Sequence, residues 1–65
     1  MKALKSFYSV YVSPLAVEIV SHEQASLAQG RFICRQANYP SLHRFARNLA
    51  LHHHLPLHDY VQLRV

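Results

Sequence analysis

Histidines and an aspartate crowd the last third of the chain, where they could ligate a metal ion. Residues 52–54 are all histidine, and His58 and Asp59 follow shortly after. Imidazole and carboxylate groups are ligands that zinc uses in proteins. His54 and His58 have a helical spacing, but Pro56 between them interrupts the helix that such a pair would need. Three imidazoles in the last turn of a helix also interact favourably with its negative end. The sequence therefore predicts no metal site, and a His-based metal-binding structural protein is kept as a second alternative.

The groups that could perform catalysis are few and scattered. Cys34 is the only cysteine, and it alternates with Phe32 onto the inward face of a predicted strand, where a thiol is inert. Glu18, Glu23 and Asp59 fall in three different predicted elements, so no acid–base pair is indicated. A chain of 65 residues also has little room to enclose a substrate. We predict that the protein is not an enzyme, with no catalytic residue and no cofactor.

The segment from Asn38 to Pro56 predicts one amphipathic helix with a basic outer face. Asn38 or Ser41 can cap its start, Pro40 suits its first turn, and Pro56 ends it by about Leu55. The residues with apolar spacing are Leu42, Phe45, Ala46, Leu49 and Ala50. The opposite side carries His43, Arg44, Arg47, Asn48, Leu51 and His54. An exposed leucine among arginines has the composition of an interface centre. We predict a partner-binding helix face formed by His43, Arg44, Arg47 and Leu51.

The rest of the chain alternates as strands do. Residues 4–12, 15–20, 31–36 and 60–65 predict four strands, and residues 22–29 predict a short helix. Ser13 and Pro14 indicate a tight hairpin, Ser21 with Gln24 has capping-box spacing, and Gly30 can close the short helix. The element order ββαβαβ predicts an α+β fold in a single compact domain, residues 1–65. Its sheet has four strands, antiparallel or mixed, with the long amphipathic helix on one face.

The second sheet face is then left to solvent or to a partner. Strand alternation assigns to it Lys5, Phe7, Tyr11, Glu18, Arg31, Arg35, Tyr60, Gln62 and Arg64. Single-stranded nucleic-acid platforms combine aromatic rings with cations, because bases stack on the rings while cations neutralise phosphates. The second predicted partner-binding surface is therefore this open sheet face, with Lys5, Phe7, Tyr11, Arg31, Arg35, Tyr60 and Arg64.

Composition narrows the class of partner. Seven Lys and Arg against three Asp and Glu give a formal charge of +4, which favours an anionic partner. An apolar fraction of 51% with 15% charged residues excludes a disordered tail. A chain this short buries only about 60% of its unfolded surface, so a partner or a homodimer would stabilise it. A single cysteine forms no internal disulfide, and no apolar run is long enough for a membrane span, which predicts a cytoplasmic protein.

These features together favour a non-enzymatic, small basic interaction protein that docks on a larger protein or ribonucleoprotein. In size and character the chain is similar to the small proteins with which phages and mobile elements inhibit host machinery, such as anti-CRISPR proteins. The alternative is an autonomous nucleic-acid-binding module that acts in regulation.

Overall fold

The computed structural model describes residues 7–63, which form a four-stranded mixed sheet with one long helix packed on one face. The elements are β1 (Tyr8–Val12), β2 (Val17–Ser21), a 3₁₀ helix (His22–Leu27), β3 (Arg31–Gln36), α1 (Tyr39–His53), β4 (Leu57–Asp59) and α2 (Tyr60–Leu63). The strand order across the sheet is β3-β1-β2-β4. β1 is antiparallel to both β2 and β3, whereas β4 is parallel to β2. The predicted α+β class is confirmed.

The turn between β1 and β2 is the tight hairpin that Ser13 and Pro14 predict. The Ser13 backbone N–H donates to the Ala16 carbonyl at 2.9 Å, and the Ser13 hydroxyl accepts from the N–H groups of Leu15 and Ala16 at 3.1 and 3.2 Å. Proline fits this turn because its ring fixes φ and no donor is needed there.

The core lies between α1 and one face of β1 and β2. Its fully buried members are Val10, Val17, Ile19, Leu42, Ala46 and Ala50. Three of the predicted inward positions of α1 are therefore confirmed. The prediction for Phe45 is wrong, because its side chain is 39% exposed on the flank of the helix.

Both ends of α1 follow local chemistry. The Asn38 side chain accepts a hydrogen bond from the Ser41 N–H at 3.0 Å, so Asn38 is the N-cap. The helix ends where His54 adopts the left-handed conformation, with φ 58° and ψ 42°. The Leu55 N–H then returns to the Ala50 carbonyl at 2.9 Å. The helix thus ends two residues before the predicted limit, and Pro56 lies beyond it.

The second sheet face is partly covered by the chain itself, contrary to prediction. Glu18 was expected on an open face, but it is only 2% exposed. Its carboxylate accepts hydrogen bonds from the backbone N–H groups of Gln29 and Gly30, each at 3.0 Å. The connection from β2 to β3 therefore lies over β2, where Val20 is also buried. What remains open of this face belongs to β1 and β3.

The predicted strand over residues 60–65 is wrong. Tyr60–Leu63 is the short helix α2, and the fourth strand is Leu57–Asp59 instead. The Asp59 carboxylate accepts from the N–H groups of Val61 and Gln62 at 3.0 and 3.1 Å, which caps the helical turn. The first strand was predicted over residues 4–12 and is observed over Tyr8–Val12. Its predicted positions before residue 7, like Arg64 and Val65, lie outside the described residues.

Candidate partner-binding surfaces

The outer side of α1 and Gln62 of α2 line an open groove. Its lining residues are Tyr39, Pro40, His43, Arg44, Arg47, Asn48, Leu51 and Gln62. All four residues predicted for the helix face are among them. The groove is therefore the predicted surface, extended on one side by α2; we call it the α1 groove.

Helical spacing aligns the two arginines of the groove with its exposed leucine. Arg44, Arg47 and Leu51 are separated by three and four residues, so they form a strip about 10 Å long on the outside of α1. Both arginines are exposed, and the Leu51 side chain is 65% exposed. Among residues 7–63 no arginine pairs with a carboxylate; the salt bridge found there joins His43 and Asp59 at 3.7 Å. Both guanidinium groups can thus meet an acidic partner without breaking an ion pair to any carboxylate of the described residues.

Asp59 fixes Tyr39 and α2, which both line the groove, through hydrogen bonds to its carboxylate. One carboxylate oxygen caps α2, and the other accepts a hydrogen bond from the Tyr39 hydroxyl. Gln62 donates its side-chain N–H to the Tyr39 oxygen at 3.1 Å, which ties α2 back to α1. Burial, followed by the hydrogen bond to Asp59, raises the pKa of Tyr39 above its ordinary value of 10.0. The hydroxyl therefore keeps its proton and remains a donor at neutral pH.

Asp59 has an anchoring role in this cluster. Its side chain is 11% exposed and both carboxylate oxygens are occupied by donors. The sequence prediction placed Gln62 on a strand and did not assign Tyr39 to the site. An aspartate directly before Tyr60 is a helix N-cap signal, which could have revealed the short helix and with it the second wall of the groove.

A β-bulge changes which side chains share each sheet face. Cys34 pairs with Val10, but Phe32 pairs with Tyr11, so Ile33 is an extra residue between them. Because paired residues share a face, Phe32 lies with Tyr11, and their rings are 5.7 Å apart, edge to face. The prediction that Phe32 points inward with Cys34 is wrong for this reason.

The bulge also separates the two arginines of β3. Arg31 pairs with Val12, which packs against the core, so Arg31 lies on the α1 side. There it lines a depression with His53 and Leu55. Arg35 pairs with Ser9 on the other face, where its guanidinium lies 5.4 Å from the centre of the Phe7 ring. The predicted pairing of Arg31 with Arg35 in one surface is therefore wrong.

The predicted sheet surface is only partly assembled. Phe7, Tyr11 and Arg35 share the second face, and Phe32 joins them at 52% exposure. Tyr60 instead lies in α2, where its carbonyl accepts a hydrogen bond from Gln24 at 3.1 Å. Lys5 and Arg64 lie outside the described residues. One described cation is left on this face, against two arginines in the α1 groove.

The described histidines and the cysteine form no metal centre. Between residues 7 and 63 no group of three or more His, Cys, Asp or Glu side chains is placed to hold a metal ion. The rings of His52 and His53 lie perpendicular to one another, 5.2 Å apart, at the end of α1. Cys34 packs against the core, and burial raises the pKa of its thiol. That shift disfavours the reactive thiolate.

No helix in the described part of the chain is long and apolar enough to cross a bilayer. Comparisons with protein-family models, with curated proteins and with solved structures find no match.

Proposed function

We propose that the protein is a non-enzymatic interaction module that docks its α1 groove on an acidic surface of a larger protein or ribonucleoprotein. The observation that carries the proposal is the strip of Arg44, Arg47 and Leu51, in which two exposed arginines, neither paired with a carboxylate of residues 7–63, lie in line with an exposed leucine along the groove. Docking of this kind would let a small protein block a partner's working surface. We propose that the protein acts as such an inhibitor, directed by a phage or mobile element at host machinery in the manner of anti-CRISPR proteins.

The groove has the chemistry that protein interfaces concentrate at their centres. An arginine fork binds a carboxylate through two parallel hydrogen bonds, which gives direction as well as attraction. Leu51 adds apolar area that becomes buried only when a partner covers it. Interface energy is usually concentrated in a few such residues, with arginine enriched among them. The Asp59 carboxylate beside the groove is only 11% exposed and accepts hydrogen bonds from Tyr39 and from the start of α2, so an acidic partner does not meet it directly.

Affinity capture from an extract of host cells tests the proposal. The wild-type protein is compared with Arg44→Glu/Arg47→Glu and with a matched control, Arg31→Glu/Arg35→Glu, which makes the same charge change on other surfaces. We expect the partner to be lost with the first variant and retained with the control. Equal loss of the partner in both double variants would show that net charge, and not the groove, governs capture, and retention in both would refute the role of the groove arginines.

The alternative proposal is an autonomous nucleic-acid-binding module, and the exposed Phe32 ring beside Tyr11 and Arg35 is the observation that favours it. Each phosphate contact releases counterions, so log affinity falls steeply with log salt. Retardation of single-stranded nucleic acid by the purified protein, with a steep salt slope that Phe32→Ala reduces, would support this alternative. Absence of retardation at low salt would exclude it.

A further inference from the structure

The α1 groove follows its helix for about three turns. Its lining residues on α1 extend from Tyr39 to Leu51, which at the helical rise per residue is a length of about 18 Å. That length holds about three turns of a second helix, or about five residues of an extended chain. Length alone therefore allows either kind of docked segment.

The backbone groups along the strip of arginines and leucine are all used within the chain. Between Arg44 and Leu51, each N–H group donates to the carbonyl four residues earlier in α1. At the end of the strip, the Ala50 carbonyl accepts from the Leu55 N–H at 2.9 Å and the Leu51 carbonyl accepts from the His54 N–H at 3.2 Å. A docked segment therefore meets only side chains of α1.

This decides which backbone conformation suits the docked segment. An extended segment laid against α1 would bury N–H and C=O groups that α1 cannot pair with, and unpaired buried groups oppose binding. A helix pairs its backbone groups within itself, so only its side chains need partners. Docking of an amphipathic helix in a groove is a recurring mode of recognition between proteins. The groove therefore favours a helix.

The side chains of the groove select the chemistry of that helix. Arg44 and Arg47 are exposed and pair with no carboxylate of residues 7–63, so carboxylates on the partner complement them. Leu51 is 65% exposed, and an apolar side chain opposite it removes that area from water. A nucleic-acid strand could neutralise the two arginines, but its phosphates offer Leu51 no apolar contact. A helix with acidic and apolar side chains on one face complements both.

We propose that the partner segment bound by the α1 groove is an acidic amphipathic α-helix that lies alongside α1. Two helices side by side have the same rise per residue, so the spacing along α1 is repeated in the partner. The bound helix presents two carboxylates three or four residues apart to Arg44 and Arg47, and an apolar residue one turn further along to Leu51. This inference rests on the proposed function and specifies which part of the acidic partner the groove contacts.

A designed peptide tests the pairing by isothermal titration calorimetry. The probe has about 18 residues, mostly Ala and Gln, and a side-chain cross-link holds it as a helix. On one face it carries two glutamates three residues apart, with a leucine four residues beyond each. This face reads the same in both directions, so it can dock parallel or antiparallel to α1. The matched control peptide has the same composition, with its glutamates on the side opposite the leucines.

We expect the probe to bind the wild-type protein and the control peptide to bind about tenfold more weakly. Arg44→Glu/Arg47→Glu should weaken binding of the probe about tenfold or more, and Leu51→Ser about fivefold. Arg31→Glu/Arg35→Glu makes the same charge change outside the groove, and we expect it to alter the affinity less than about threefold because salt screens distant charges. All the substituted side chains are exposed, so these variants keep the fold.

Absence of probe binding at about 1 mM, or equal binding of the two peptides, would overturn the inference. It would also be overturned by equal losses in the two double variants, or by a thymidine oligonucleotide that binds through Arg44 and Arg47 when the probe does not. The capture experiment tests the proposed function separately. If capture depends on the groove arginines but the probe does not bind, the inference fails and the proposed function stands.

Discussion

The backbone N–H of Gly30 donates a hydrogen bond to the buried carboxylate of Glu18 at 3.0 Å, and this contact ties the chain that enters β3 to the face of β2. A second N–H, that of Gln29, donates to the same carboxylate. These two hydrogen bonds place the start of β3, and therefore decide how much of the second sheet face stays open.

Replacing Glu18 by Gln should lower the free energy of unfolding by about 1.5–3 kcal/mol, because hydrogen bonds to a charged acceptor contribute about that much. The amide keeps one acceptor oxygen but presents an N–H group where the second oxygen was. Urea unfolding followed by circular dichroism measures the change. Glu23→Gln is the control, since Glu23 is exposed, and it should alter stability by less than about 0.5 kcal/mol. Equal effects at the two positions would contradict the anchoring role.

Gly30→Ala should destabilise the fold through a steric clash. A Cβ atom at this position would lie 2.4 Å from the backbone carbon and oxygen of Val12. Those backbone atoms belong to β1 and cannot rotate away, so we expect a loss of about 1–3 kcal/mol. The midpoint of thermal unfolding measures it. Gln29→Ala, at the exposed neighbouring position, should be nearly neutral, because only its backbone N–H is used.

His54→Gly should stabilise the protein. His54 closes α1 at φ 58°, a conformation that costs a side-chain-bearing residue about 1–2 kcal/mol and costs glycine nothing. After the greater chain entropy of glycine in the unfolded state is subtracted, we expect a gain of about 0.5–1 kcal/mol. His52→Gly provides the contrast. Position 52 lies inside α1, so this variant should be less stable than the wild type by a similar amount. Guanidinium unfolding of both variants checks the opposite signs.

The Tyr39 hydroxyl should make stability fall at alkaline pH. Its pKa is raised in the folded protein, chiefly by burial and then by the bond to Asp59, so the unfolded chain loses this proton first. The associated stability is fully present below the ordinary tyrosine pKa of 10.0 and is lost as pH rises through the higher folded value. Tyr39→Phe should remove this part of the alkaline decline, as measured by urea unfolding at several pH values.

Tyr11→Phe is the control for that series, because it removes a different partly buried tyrosine hydroxyl that makes no hydrogen bond among the described residues. It should leave the alkaline decline in place. An unchanged decline in the Tyr39→Phe variant would mean that another group causes it.

Local chemistry made much of this fold predictable. Asn38, Pro40 and Pro56 bracket α1, and Ser13 with Pro14 marks the hairpin, since each of these residues acts through its immediate backbone. Such signals can be recognised in the sequence without knowledge of the tertiary structure. The arginines of the helix face could be predicted for the same reason, because helical spacing alone decides which residues lie opposite the apolar stripe.

The regions that were predicted wrongly depend on information that the alternation of apolar and polar residues does not contain. Val61 and Leu63 fit a strand as well as one helical turn, and the Asp59 cap decides between them. Nothing in residues 31–36 marks the extra residue, because a bulge depends on how β3 meets β1. The cover over β2 likewise depends on a long-range bond to Glu18, which a pattern of local types does not contain.

The extra residue at Ile33 affects how the β3 edge of the sheet can change in evolution. Loss of that single codon would make Phe32 the direct neighbour of Cys34, so regular alternation would keep Phe32 opposite Tyr11 and Arg31 opposite Val12. A one-residue deletion would thus straighten β3 while each arginine stays on its present face of the sheet.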